Sequence, residues 1–174
     1  GTAIEALKLV DNLPEDSTTT ESRIGIYNQL GKIYRQLLEY DKAITYYQKA
    51  LDLVTEQHHQ MTLKNNIGYA LIKSGNLNLA LSEFENLHNS LANVQDSTQK
   101  ARILNNYGVV KGKLDQPDAL KYLLQGLSIR EALKNNSELI GSYMDLSKYY
   151  SETGDTIQAE TYARKAFALA KETD

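Results

Sequence analysis

Apolar and small residues return along this chain at intervals of three and four, the spacing that gathers side chains on one face of a helix. Tyr27, Leu30, Gly31 and Tyr34 make one such stripe, and Ala43, Tyr47, Ala50, Leu51 and Val54 make the next. The pair of stripes then recurs. A large apolar residue, a small one and a second large one three positions on appear as Leu30-Gly31 with Tyr34, Ile67-Gly68 with Leu71 and Leu146-Ser147 with Tyr150, and in weaker form as Tyr107-Gly108. Eleven or twelve residues after each small residue stands an alanine: Ala43, Ala80, Ala119 and Ala159. Tyr47, Phe84, Leu123 and Ala163 follow four further on, and Ala50, Leu87, Gly126 and Ala166 three beyond those.

The alanines lie 37, 39 and 40 residues apart. Counting 40 back from Ala43 reaches Ala3, with Leu7 and Val10 at matching offsets, so residues 1–13 read as the second half of an earlier repeat. Complete repeats cover about 18–56, 57–94, 97–134 and 136–173. The pattern predicts an all-α chain of nine helices and no strands, forming one repeat domain over residues 1–174. Turn signals divide each repeat at Tyr40-Asp41, Gly75-Asn76, Asp115-Gln116-Pro117 and Gly154-Asp155. Asp41 and Asp155 suit helix N-caps, Pro117 a first helical turn and Gly154 a helix C-terminus. Ser17 to Thr20, Asp96-Ser97 and Asn136-Ser137 offer caps between repeats. The third repeat departs most: Lys111 replaces an expected aromatic, one residue is lost before Ala119, and its first helix is expected to end near Gly112.

A glycine inside a helix costs about 1 kcal/mol against alanine. Three repeats carry one at the same position, which points to a shared packing reason: the second helix crosses the first closely there. No single repeat buries its own apolar face, so neighbours must stack to supply stability.

These residues resemble the tetratricopeptide signature of an aromatic, Leu-Gly, Tyr, then Ala, an aromatic and Ala. The stretch Ile24 to Thr55 matches best, through Tyr27, Leu30, Gly31, Tyr34, Ala43, Tyr47 and Ala50, and lacks only the terminal proline, as all four repeats do. The period exceeds the usual 34 or so, which looks like the longer-period branch found in peptide-binding adaptors and in regulatory regions of signalling proteins. The resemblance implies a right-handed superhelical solenoid of antiparallel helix pairs. It also implies that the first helices of successive repeats line a concave surface where ligands lie.

Carried over by offset from the small residue, that surface bears a ladder of amides. Gln29, Asn66, Asn106 and Asp145 stand two positions before it, and Asn28, Asn65, Asn105 and Met144 three before it. An amide both donates and accepts, so it can pair with the backbone of an extended peptide; it can equally tie neighbouring helices together or meet water. Lys32, Arg35, Lys73, Arg102, Lys113 and Lys148 fall on the same face against Asp145 and Glu152. A concave basic surface favours an acidic segment or a terminal carboxylate. Lys32 and Asn66 resemble parts of the family's carboxylate clamp, but Asn106 stands where its second basic residue belongs, so a chaperone-tail clamp is not expected. Tyr69 and Ile72 project from the second repeat, either as an apolar anchor for a ligand or as packing against the neighbouring helix.

Charge and composition narrow the choice. The net charge of −3 offers no general basic excess for nucleic acid. The longest purely apolar run, Ala166 to Ala170, is far too short to insert in a membrane. There are no cysteines, and this is compatible with reducing and oxidising compartments alike. His58-His59 and His88 supply no second ligand at metal spacing, and neither a G-x-S-x-G motif nor a phosphate-binding glycine loop occurs. A non-catalytic module without cofactor is therefore expected, holding a protein or extended peptide, with an acidic one favoured. Two other readings stay open: a regulatory or sensory region of a larger signalling protein, and a structural scaffold. The chain opens on an orphan second helix and closes on Ala166-Phe167-Ala168-Leu169-Ala170 without a polar cap. That predicts an apolar patch at the C-terminal end, covered in a longer protein or by a second subunit in a homodimer.

Overall fold

The computed structural model describes residues 17–173; the half repeat expected over 1–13 lies outside the described residues. Eight α-helices follow one another, with no strand among the described residues: α1 (Ser17–Gln36), α2 (Tyr40–Leu51), α3 (Gln57–Ser74), α4 (Leu77–Asn89), α5 (Ser97–Lys113), α6 (Ala119–Leu133), α7 (Asn136–Glu152) and α8 (Thr156–Thr173). A short 3₁₀ turn, Leu91–Asn93, precedes α5. The chain divides into two compact units, Gly1–Glu83 and Phe84–Asp174. In the first, α1 packs on α2 and α2 on α3; in the second, α5, α6, α7 and α8 pack in sequence, and α5 also touches α7.

In three of the four repeats the small residue of the first helix, Gly31, Gly108 or Ser147, sits where the second helix crosses it. A methyl group on Gly31 would collide with the ring of Tyr47, and one on Gly108 would lie 2.8 Å from the backbone nitrogen of Leu123. In the fourth repeat Ser147 keeps the same close approach and uses it, its hydroxyl donating to the Ala159 carbonyl at 2.8 Å. The third repeat thus keeps its register despite the lost residue, and α5 ends at Lys113, beside the expected Gly112. Lys111 takes the missing aromatic's place by lying over the rings of Tyr107 and Tyr122, at 4.9 and 5.6 Å from their centroids. Burial works against its ammonium, but bonds to Asp118 and Tyr107 outweigh that and hold its pKa above the usual lysine value.

Each first helix also ends alike. Seven residues after the small residue come Leu38, Gly75, Asp115 and Gly154, with φ of 61°, 83°, 53° and 86°. The next residue's N–H reaches back five positions in every case, from Glu39 to Tyr34, Asn76 to Leu71, Gln116 to Lys111 and Asp155 to Tyr150, at 2.8–2.9 Å. This is a Schellman ending, which satisfies carbonyls the helix would otherwise leave open.

That ending corrects some expected caps. Helix α2 starts directly after Glu39, so Asp41 is not its N-cap but lies in the first turn, where its charge suits the helix dipole. Pro117 lies in the turn before α6 rather than in its first turn, because the chain enters through a three-residue bond from Ala119 N–H to the Gln116 carbonyl. Asn135, not Asn136 or Ser137, caps α7, accepting from Glu138 N–H at 3.2 Å. Ser17 to Thr20 are already helical. Asp96 and Asp155 cap as expected, accepting from Thr98 and Gln99 N–H and from Gln158 N–H respectively.

Two substitutions test this account. Leu38 is 70% exposed and holds a left-handed conformation without a packing reason; Leu38→Gly should stabilise the chain by about 1 kcal/mol in thermal or denaturant melts. The hydroxyl of fully buried Tyr47 has no hydrogen-bond partner among the described residues, and burial raises its pKa. Tyr47→Phe should therefore match or exceed the parent's melting temperature, because it removes a polar atom that gains nothing inside.

Candidate functional site

In the first unit the proposed surface is built from α1 and α3. Helix α1 contributes Asn28, Gln29, Lys32 and Arg35, and α3 contributes Asn65, Asn66, Tyr69 and Lys73. The Asn66 side-chain amide donates to the Asn28 oxygen at 3.5 Å, a long contact that leaves both groups only loosely engaged. Asn65 is buried and Ile72 is 4% exposed, so Ile72 packs inward. Tyr69 is half-buried, with the Arg35 guanidinium 5.3 Å and the Lys73 ammonium 5.2 Å from its ring centroid. Cations at that distance are attracted to the ring, so one tyrosine draws charges from two helices together. Lys32, Arg35 and Lys73 form no ion pair among the described residues.

The second unit treats the same offsets differently. Asn105 is 3% exposed; its amide donates to Asp145 at 2.7 Å and its oxygen accepts from Ser142 at 3.2 Å. Ser142, fully buried, also lies 2.5 Å from Arg130 Nη1. Arg130 is 7% exposed and faces Glu138 at 3.1 Å, and Glu138 also holds Arg102 at 2.5 Å. Burial pushes the Arg130 pKa down, and Glu138 and Asp145 oppose that shift. The result is a polar junction joining α5, α6 and α7. Here the amide ladder ties helices together.

Beside the junction, Lys113, Asp145 and Lys148 line a small cleft floored by Gly108 and Gly112 and walled by Val109, Leu123 and Tyr149. Lys148 stands 3.7 Å from Glu152, while Lys113 has no ion-pair partner among the described residues. Asn106 is half-buried on α5. Of the six basic residues expected on the face, Arg102 and Lys148 are thus met by acids within the chain.

Sequence reasoning missed Arg130 and Glu138. A signal existed: Arg130 occupies a repeat slot that otherwise holds Val54, Leu91 and Ala170. A lone arginine in an apolar series requires a buried counter-charge.

Helix pairs joined by a common turn, a common close crossing and a polar face define a repeat scaffold for holding other chains. Residues 25–53 and 139–173 each match the tetratricopeptide repeat. The chain thus carries tetratricopeptide repeats over those residues, and such repeats serve as protein-interaction modules. Crystal structures with the same fold include BtubC from P. vanneervenii (TM-score 0.71, 22% identity, 98% of this chain and 71% of that one). The apo form of RapI matches with TM-score 0.76 and 18% identity over 99% of this chain and 63% of that one. A Rap protein complexed with Competence and Sporulation Factor matches with TM-score 0.77 and 17% identity, over 91% of this chain and 45% of that one. The chain spans less than two thirds of either Rap protein. No described helix is long and apolar enough to cross a membrane.

The buried junction makes a specific prediction about stability. Glu138→Leu strands Arg130 in the interior and should destabilise the chain by about 3–5 kcal/mol. Adding Arg130→Met removes the stranded charge and should recover most of that loss in the same denaturation experiment.

Proposed function

We propose that the chain is a non-catalytic module that holds an extended acidic segment of a partner protein on the α1–α3 face. The observation that carries this reading is the convergence of Arg35 and Lys73 around Tyr69, with Lys32 three residues before Arg35 on α1 and no ion pair to any of the three among the described residues. Unpaired charges on a surface lose little by being desolvated against opposite charge, and they speed encounter. Asn28 and Asn66 add groups that can bond an extended backbone by exchanging their weak mutual contact for one with the ligand. In the second unit, taken by itself, Lys113, Lys148 and Asn106 hold the equivalent helix positions, Lys113 and Lys148 lining the glycine-floored cleft. Gln29 and Asn65 complete the α1–α3 face; in the second unit Arg102, Asn105 and Asp145 hold the corresponding positions, Asn105 and Asp145 chiefly fixing α7 against α5.

A second reading is supported by the fold match to RapI and to the Rap protein complexed with Competence and Sporulation Factor, both longer than this chain. In that reading the module is the regulatory region of a larger signalling protein, and capture of the segment is its input.

Fluorescence anisotropy with two labelled dodecapeptides, one alternating Glu and Ser and one alternating Lys and Ser, tests the proposal. The acidic peptide should bind and the basic one should not. Combined Lys32→Ala, Arg35→Ala and Lys73→Ala should weaken binding at least about tenfold, on the order of 0.5 kcal/mol per charge, with little change in melting temperature. Equal binding of both peptides, or full affinity in the triple variant, overturns the assignment.

A further inference from the structure

The α1–α3 face differs from one end to the other. On α1, Asn28, Lys32 and Arg35 follow at spacings of four and three, and on α3, Asn66, Tyr69 and Lys73 follow at three and four. Each set therefore forms one stripe of its helix. The amides meet at one end of the two stripes, where the Asn66 nitrogen reaches the Asn28 oxygen. The cations gather at the other, where Arg35 and Lys73 lie 5.3 and 5.2 Å from the centroid of the Tyr69 ring. Seven residues separate Asn28 from Arg35 and Asn66 from Lys73, so the two ends stand about 10 Å apart along the helices.

The charge at the cationic end is denser than an extended run of carboxylates can match. Side chains on one face of an extended chain recur every second residue, about 7 Å apart, and an acidic residue brings one charge to each such point. Here two cations share a single ring, and Lys32 adds a third charge one helical turn before Arg35. A phosphoryl group concentrates about −1.5 to −2 charges and three acceptor oxygens at one point. The groups around the ring suit it, since the ammoniums and the guanidinium only donate and the Tyr69 hydroxyl can donate as well. Arg35 also presents a planar fork that can engage two phosphate oxygens at once.

The amide end selects among phosphate carriers. Asn28 and Asn66 offer both donors and acceptors, which match the alternating N–H and C=O groups of a peptide backbone. A distance of about 10 Å is about three residues of extended chain. The net charge of −3 works against a polyanion such as nucleic acid.

We propose that the cationic end of this face seats a phosphorylated side chain of the partner segment, with Lys32, Arg35 and Lys73 around the phosphoryl group and Asn28 and Asn66 on the backbone about three residues away. This rests on the reading of the face as the site of an acidic segment, and adds that one doubly charged group is preferred there to separate carboxylates.

Fluorescence anisotropy with two further labelled peptides tests the addition. One is the alternating Glu and Ser dodecapeptide with a central serine phosphorylated; the other replaces two of its serines by Glu, which matches the total charge with carboxylates alone. At about pH 7.5 the phosphopeptide should bind at least about tenfold more tightly than its charge-matched partner. The ratio of the two affinities should shrink at least about threefold at about pH 5.5, because the phosphate loses its second charge near pH 6 while the carboxylates keep theirs. Arg35→Lys retains the charge without the fork; it should weaken the phosphopeptide at least about fivefold and the charge-matched peptide by less than about twofold. If no acidic peptide binds, the reading of the face itself fails. If both peptides bind equally, or the ratio ignores pH, or Arg35→Lys weakens both alike, that reading stands and the phosphoryl assignment is overturned. A single-stranded thymidine dodecamer should bind more weakly than the phosphopeptide; equal or tighter binding overturns the assignment in favour of nucleic acid.

Discussion

Two helices can approach backbone to backbone only where no side chain stands between them, and the crossings at Gly31, Gly108 and Ser147 rest on such a point. At Gly31 the space belongs to the Tyr47 ring, at Gly108 to the Leu123 backbone, and at Ser147 to a hydroxyl short enough to bond the facing carbonyl. Moving either helix outward by one methyl group would open the wedge that the core side chains fill, and close-packed interiors tolerate such changes poorly. The crossing fixes the angle at which the second helix leaves. The Schellman turn after each first helix delivers the chain to that angle in every repeat. Positions on the far side of each first helix are thereby set alike relative to its own helix pair, whatever residues occupy them.

What occupies them gives the two units different characters. The α1–α3 face keeps its cations apart from acids and gathers two of them around a tyrosine. The α5–α7 face draws its charges inward, where Arg102 and Arg130 share Glu138 and an asparagine is held from both ends. Ion pairs of the second kind add little net stability over apolar packing, yet they strongly penalise any misplacement of the helices that carry them. One unit therefore leaves its basic residues at the surface, and the other uses its polar residues to fix helix register.

The repeat framework was legible because it depends on residues close in sequence. Gly31 and Tyr47 announce their crossing through size alone, and Asp96 and Asp155 announce helix starts through side chains that reach their own backbone. The roles of the amides were not legible. Asn28, Asn65 and Asn105 share one offset and one chemistry, and they differ in what the next repeat brings against them. Asn105 meets Ser142 and Asp145, some 37 and 40 residues away, and becomes buried structure. Asn28 meets Asn66 at a long 3.5 Å. The end of α1 misled for a related reason: Asp41 has the right side chain for a cap, but the turn through Leu38 starts the next helix two residues too early for it to serve.

The short reach of these crossings also bears on how the chain comes to be folded. Gly31 meets a residue 16 positions along, Gly108 one 15 along, and Ser147 one 12 along. Closing loops of that size costs little entropy and takes well under a microsecond in a flexible chain. A helix pair can close as soon as its own residues have emerged from the ribosome, without waiting for any distant segment. Synthesis and folding can then proceed at the same pace, with each finished pair giving the next a surface to settle on.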